Sequence, residues 1–122
     1  MVERIVEIGI LFDFYGKLLS ERQYVAIELY YIHDLSLAEI SEELGISRQG
    51  VYDILKRAEE YLYEYETRLG LVNKFRRNKE DINRIYRLTE EIEKESEGIG
   101  NESILIKAKN LKAILNKMIE NS

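Results

Sequence analysis

Apolar residues recur at spacings of three and four through most of this 122-residue chain, the interval that gathers side chains on one side of an α-helix. The pattern predicts an all-α protein and no strand. A first helix fits residues 3 to 15, with Ile5, Ile8, Phe12 and Tyr15 about one turn apart and Gly16 as its stop. Gly9 falls inside that helix, where glycine costs roughly 1 kcal/mol relative to alanine, so close packing against a neighbour is expected there. A second helix opens at Ser20, which forms a capping box with Gln23, and runs through Val25, Ile27, Leu29 and Tyr30 to His33.

The most specific signal is SLAEISEELGISRQGVYDILKR, Ser36 to Arg57. Ser36 and Glu39 make another capping box, Gly45 can stop the helix in a left-handed conformation, and Gly45, Ile46 and Ser47 form a tight turn. Ser47 then caps a further helix. Ile40, Leu44, Ile46, Val51 and Ile54 would be buried between the two, with small Ser41 where they cross. This is the spacing of a helix-turn-helix, whose second helix can lay its first turns against base edges in a major groove. The candidate nucleic-acid-binding residues on it are Ser47, Arg48, Gln49, Tyr52, Asp53, Lys56 and Arg57.

That helix has reason to continue, because Val51, Leu55, Ala58, Leu62, Tyr65 and Leu69 repeat as a heptad seam up to Gly70. Its later turns are expected to pack on another helix or another chain. The next stretch, LVNKFRRNKED, holds Lys74, Arg76, Arg77 and Lys79 around Phe75, and reads as a solvated helix start or linker, or as a phosphate-contacting patch. A further helix is expected from Asp81 to about Ser96, a turn over residues 96 to 101, and a last helix from about Glu102 to Glu120 carrying Ile104, Ala108, Leu111, Leu115 and Met118. The predicted organisation is a helix-turn-helix domain over residues 1–70 and a C-terminal antiparallel helical hairpin over 71–122. The hairpin's apolar faces are wider than two helices can bury, so it should cover either the back of the seam or the same helices of a second copy. A homodimer is expected, which would hold two recognition helices at a fixed separation.

Composition narrows the classes. The chain has no proline, nine tyrosines and 34% charged residues, which suits a wholly helical protein, and its lack of cysteine removes disulfides and thiolate chemistry. No apolar run is long enough to cross a bilayer and the N-terminus is acidic rather than basic, so a cytoplasmic protein without membrane insertion is expected. The formal net charge is −5. Up to Gly70 there are seven Lys and Arg against fourteen Asp and Glu, and beyond it eleven against nine. The recognition unit therefore lies in the acidic half, relieved locally by Arg48, Lys56 and Arg57 beside Asp53, and its affinity for DNA should be weak and salt-sensitive in a monomer. His33 is the single histidine, better placed to meet a helix C-terminus than to bind metal. With no nucleophile, no paired acid and base and no glycine-rich phosphate loop, neither an enzyme nor a cofactor is expected.

The first seventy residues resemble the YlxM family, small bacterial proteins associated with the signal recognition particle (SRP). The likeness is carried by LFDFYGKLLSERQ (Leu11 to Gln23), ELYYIHDLSLAEISEELGISRQGVYDILKRAE (Glu28 to Glu59) and YEYETRLGL (Tyr63 to Leu71). The family tends to carry Asp-Asp at His33-Asp34, Ala at Ser41 and Ala at Gly50. The resemblance implies a fold similar to region 4 of bacterial sigma factors and a part in, or regulation of, co-translational targeting, and it brings no catalytic residue. Two roles follow: an accessory of the particle that binds its RNA or its GTPase, or a dimeric DNA-binding transcriptional regulator.

Overall fold

Serine, glycine and one asparagine set most of the helix boundaries of this protein. The computed structural model describes residues 2 to 121, which form helices and short turns with no strand among them. They are α1 (Val2–Tyr15), α2 (Glu21–Ile27), α3 (Leu37–Leu44), α4 (Arg48–Leu69), α5 (Leu71–Ile99) and α6 (Glu102–Glu120). A 3₁₀ turn, Gly16–Leu18, follows α1, and a π turn, Glu28–Ile32, extends α2. Both predicted capping boxes are present: Ser20 Oγ accepts from Gln23 N at 3.2 Å and Ser36 Oγ from Glu39 N at 3.1 Å, and each partner side chain returns a bond to the serine N–H. Asn101 caps α6 in the same manner, accepting from Ile104 N at 3.1 Å.

The chain divides into two compact units, one up to Val72 and one from Asn73 onward. In the first, the core is made by Ile8, Leu11, Phe12 and Tyr15 of α1, Ala26 and Ile27 of α2, Ile40 of α3, and Val51, Leu55, Ala58 and Leu62 of α4. The seam is thus closed within this unit, against α1 and α2, up to Leu62. Further on it opens: Tyr65 is half-buried and Leu69 is exposed. Ile5, placed in the apolar row of the first helix, is exposed, and α1 turns Leu11 inward; the second helix, expected to run to His33, is α-helical only to Ile27 and continues as the π turn. Gly9 has no close neighbour, and a Cβ there would meet nothing within 4 Å. The glycine packed tightly is Gly16, where a Cβ would lie 2.9 Å from the Phe12 ring.

In the second unit α6 runs back along α5. The residues buried there are small: Thr89 and Ser96 on α5, Ala108 on α6, together with Leu115. Thr89 and Ser96 donate to the carbonyls of Ile85 and Ile92, both at 2.7 Å, so their hydroxyls are satisfied without a partner from α6. Lys112 reaches over the Tyr86 ring to Glu93 and Glu90, at 3.4 and 3.7 Å. Two expectations are corrected here. The helix expected from Asp81 to about Ser96 begins at Leu71, so the basic stretch after Gly70 is its solvated start, and it runs to Ile99, which confines the predicted turn to Gly100 and Asn101.

Candidate nucleic-acid interface

The geometry of the helix pair begins at Gly45, which ends α3 in the left-handed region at φ 66°. Both its N–H and that of Ile46 are directed to the carbonyl of Ser41, closing α3 and reversing the chain. Ser47 then caps α4, accepting from Gly50 N at 3.0 Å. Between the helices Ile40 and Val51 are fully buried and Leu44, Ile46 and Ile54 pack against them, as the apolar spacing requires. Ser41 is half-buried, with its hydroxyl bonded to the Ala38 carbonyl at 2.8 Å.

The seven candidate residues all stand at the N-terminal end of α4 and all are exposed. Arg48 and Gln49 lie in the first turn, which carries no acidic residue. Tyr52 exposes half of its side chain, and Lys56 and Arg57 follow one turn later. Arg48, Lys56 and Arg57 form no ion pair among the described residues. Gln49 and Asp53 are joined instead: Gln49 Nε2 donates to Asp53 Oδ1 at 3.0 Å, which fixes the amide and occupies the carboxylate. The arrangement offers cationic and amide donors on a helix start whose dipole favours negative charge. Against it stand Glu39, Glu42 and Glu43, exposed on α3, the helix that crosses the phosphate backbone in this motif.

Behind α4 lies a bracing contact that sequence spacing does not show. The Tyr31 hydroxyl, on the π turn, donates to Glu59, and Arg4 of α1 meets the same carboxylate at 3.3 Å. Burial first, and the Glu59 bond second, push the Tyr31 hydroxyl far above the ordinary tyrosine value. Sequence separation hid this group, since its members lie 28 and 55 residues apart. His33, at the end of the π turn, is exposed and donates its backbone N–H to Glu28. No helix among the described residues is long and apolar enough to cross a membrane.

A short capped helix joined through a left-handed glycine to a long one that presents its first turns to solvent defines a helix-turn-helix protein. The chain belongs to the family UPF0122, described as "Putative helix-turn-helix protein, YlxM / p13 like", whose model matches residues 2–102. It is 55% identical over 76 residues to a UPF0122 protein of Caldanaerobacter subterraneus subsp. tengcongensis, covering 62% of this chain and 65% of that one. It is 50% identical over 82 residues to one of Desulforamulus reducens (67% and 70% covered), and 44% identical over 93 residues to one of Bacillus thuringiensis (76% and 84%). The chain thus spans about two thirds of the length of the first two relatives.

Proposed function

We propose that this protein is a cytoplasmic, non-enzymatic regulator that binds nucleic acid through the first turns of α4 and works in the SRP targeting pathway, with the particle RNA and the particle GTPase as partners. The observation that supports binding is the exposure of Arg48, Gln49 and Tyr52 on an acid-free helix start. The targeting role follows from the YlxM likeness. An acidic module also suits docking on a basic ribonucleoprotein.

A second reading, a dimeric DNA-binding transcriptional regulator, draws support from a different feature. The hairpin leaves Ile85, Leu88 and Ile92 of α5 and Ile104, Leu111 and Met118 of α6 exposed, and a second copy could cover them. Gel shifts with particle RNA and with duplex DNA at matched salt separate the two. Tight, sequence-selective duplex binding that Arg48→Ala abolishes would favour the regulator and displace the targeting role. If Arg48→Ala leaves binding of both nucleic acids unchanged, readout by α4 is wrong.

A further inference from the structure

Because α5 is one helix from Leu71, it unites arginines that the sequence pattern assigns to two elements. At about 3.6 residues per turn, positions 76, 77, 84 and 87 fall within roughly 100° of the helix circumference. This side is turned away from Thr89 and Ser96, the buried positions of α5. All four arginines are exposed, and none forms an ion pair among the described residues. The cations paired among the described residues lie elsewhere: Arg4 with Glu59, Arg68 with Glu64, Lys112 with Glu90 and Glu93. Glu80, at helical spacing from both Arg76 and Arg84, makes no ion pair with either.

The charge is segregated along the helix. Residues 73 to 89 hold six Lys and Arg against two acids, whereas residues 90 to 97 hold Lys94 alone against five glutamates. The arginine face spans about 16 Å along the axis. Its intervening positions, among them Asn73, Glu80 and Asn83, are polar, so it lacks the apolar centre that a protein partner would bury. It also lacks the aromatic platform on which single-stranded bases stack. A row of unpaired guanidinium groups with neither feature matches regularly spaced phosphates.

We propose that Arg76, Arg77, Arg84 and Arg87 form a second, sequence-independent contact for the phosphate backbone of a double-helical nucleic acid. The inference rests on the nucleic-acid reading above but uses a different helix, so the two can fail separately. Duplex RNA and duplex DNA share this backbone chemistry, and the test includes both.

The experiment measures affinity against salt for wild type, Arg48→Ala, Glu80→Gln and the quadruple Arg→Gln variant at the four positions, on a duplex RNA and a duplex DNA of matched sequence and on a second such pair of unrelated sequence. Circular dichroism checks that helix content is kept. Each phosphate contact contributes about −0.9 to the slope of log K against log salt on B-DNA, so the loss of four contacts should make the quadruple variant shallower by about 3.6. Its affinity should fall by a similar factor on unrelated sequences, and Glu80→Gln should bind more tightly than wild type. Slopes unchanged in the quadruple variant on both kinds of duplex, with Arg48→Ala weakened, overturn this inference alone. A quadruple variant impaired beside an indifferent Arg48→Ala supports it and overturns α4 readout. Wild-type protein that binds neither kind of duplex overturns both.

Discussion

The hydroxyl of Tyr15 lies 2.5 Å from Oε1 of Glu66, and the two side chains together cap a helix to which neither belongs. Tyr15 Oη accepts the N–H of Leu71 at 3.0 Å and Glu66 accepts that of Val72 at 3.1 Å, so the first donors of α5 are met by α1 and α4. Tyr15→Phe removes the acceptor from a site where the ring is almost wholly buried. Stability in urea should drop by about 1 to 3 kcal/mol. Tyr65→Phe, which loses one exposed 3.3 Å bond to the Leu18 carbonyl, is the control and should change it far less.

Tyrosine burial also sets an alkaline limit. The hydroxyls of Tyr15, Tyr31 and Tyr63 are all raised, in each case by burial first, with Glu66, Glu59 and Glu7 adding to it. In the unfolded chain these groups ionise near pH 10, so above that pH the unfolded state binds fewer protons than the folded one. Their contribution is complete below about pH 10 and is lost as the pH climbs through the folded values. The urea midpoint should be flat from pH 8 to 9.5 and fall beyond, less steeply in Tyr31→Phe. A midpoint constant to pH 11 would contradict this.

Two glycines in helices should be replaceable with gain. Gly9→Ala meets open space and should stabilise by roughly 0.5 to 1 kcal/mol. At Gly50 a Cβ would sit 3.2 Å from Ser47 Oγ. The equivalent caps at Ser20 and Ser36 already accommodate full side chains at Gln23 and Glu39, so Gly50→Ala should also stabilise, by under about 1 kcal/mol. Gly16→Ala runs the other way, since its Cβ would press into the Phe12 ring, and a loss of about 1 to 3 kcal/mol is expected. Thermal melts of the three variants check the signs.

The exposed stripe on the hairpin gives the dimer a direct test. If a second copy covers it, sedimentation should reveal a concentration-dependent dimer that Leu88→Glu together with Leu111→Glu converts to monomer, with helix content retained. A monomer at all concentrations would remove the dimeric regulator.

What could be read from the sequence was local. The caps at Ser20, Ser36 and Ser47 and the stop at Gly45 follow from residues three or four apart, which determine the helix-turn-helix outright. The start of α5 could not be read this way, because its acceptors come from Tyr15 and Glu66 and no serine or aspartate marks it. The contact of Tyr31 and Arg4 with Glu59 was hidden for the same reason. At the candidate interface the positions were legible from helical spacing, whereas the pairing of Gln49 with Asp53, which ties up two of them, needed the rotamers.

The closure of the Val51 to Leu62 seam against α1 and α2 bears on how such a chain can diversify. The interior of the helix-turn-helix unit is complete by Val72, and the family match runs on through α5 to residue 102, just as α6 begins. Substitutions on the exposed side of α6 should therefore leave the core of the first unit as it is.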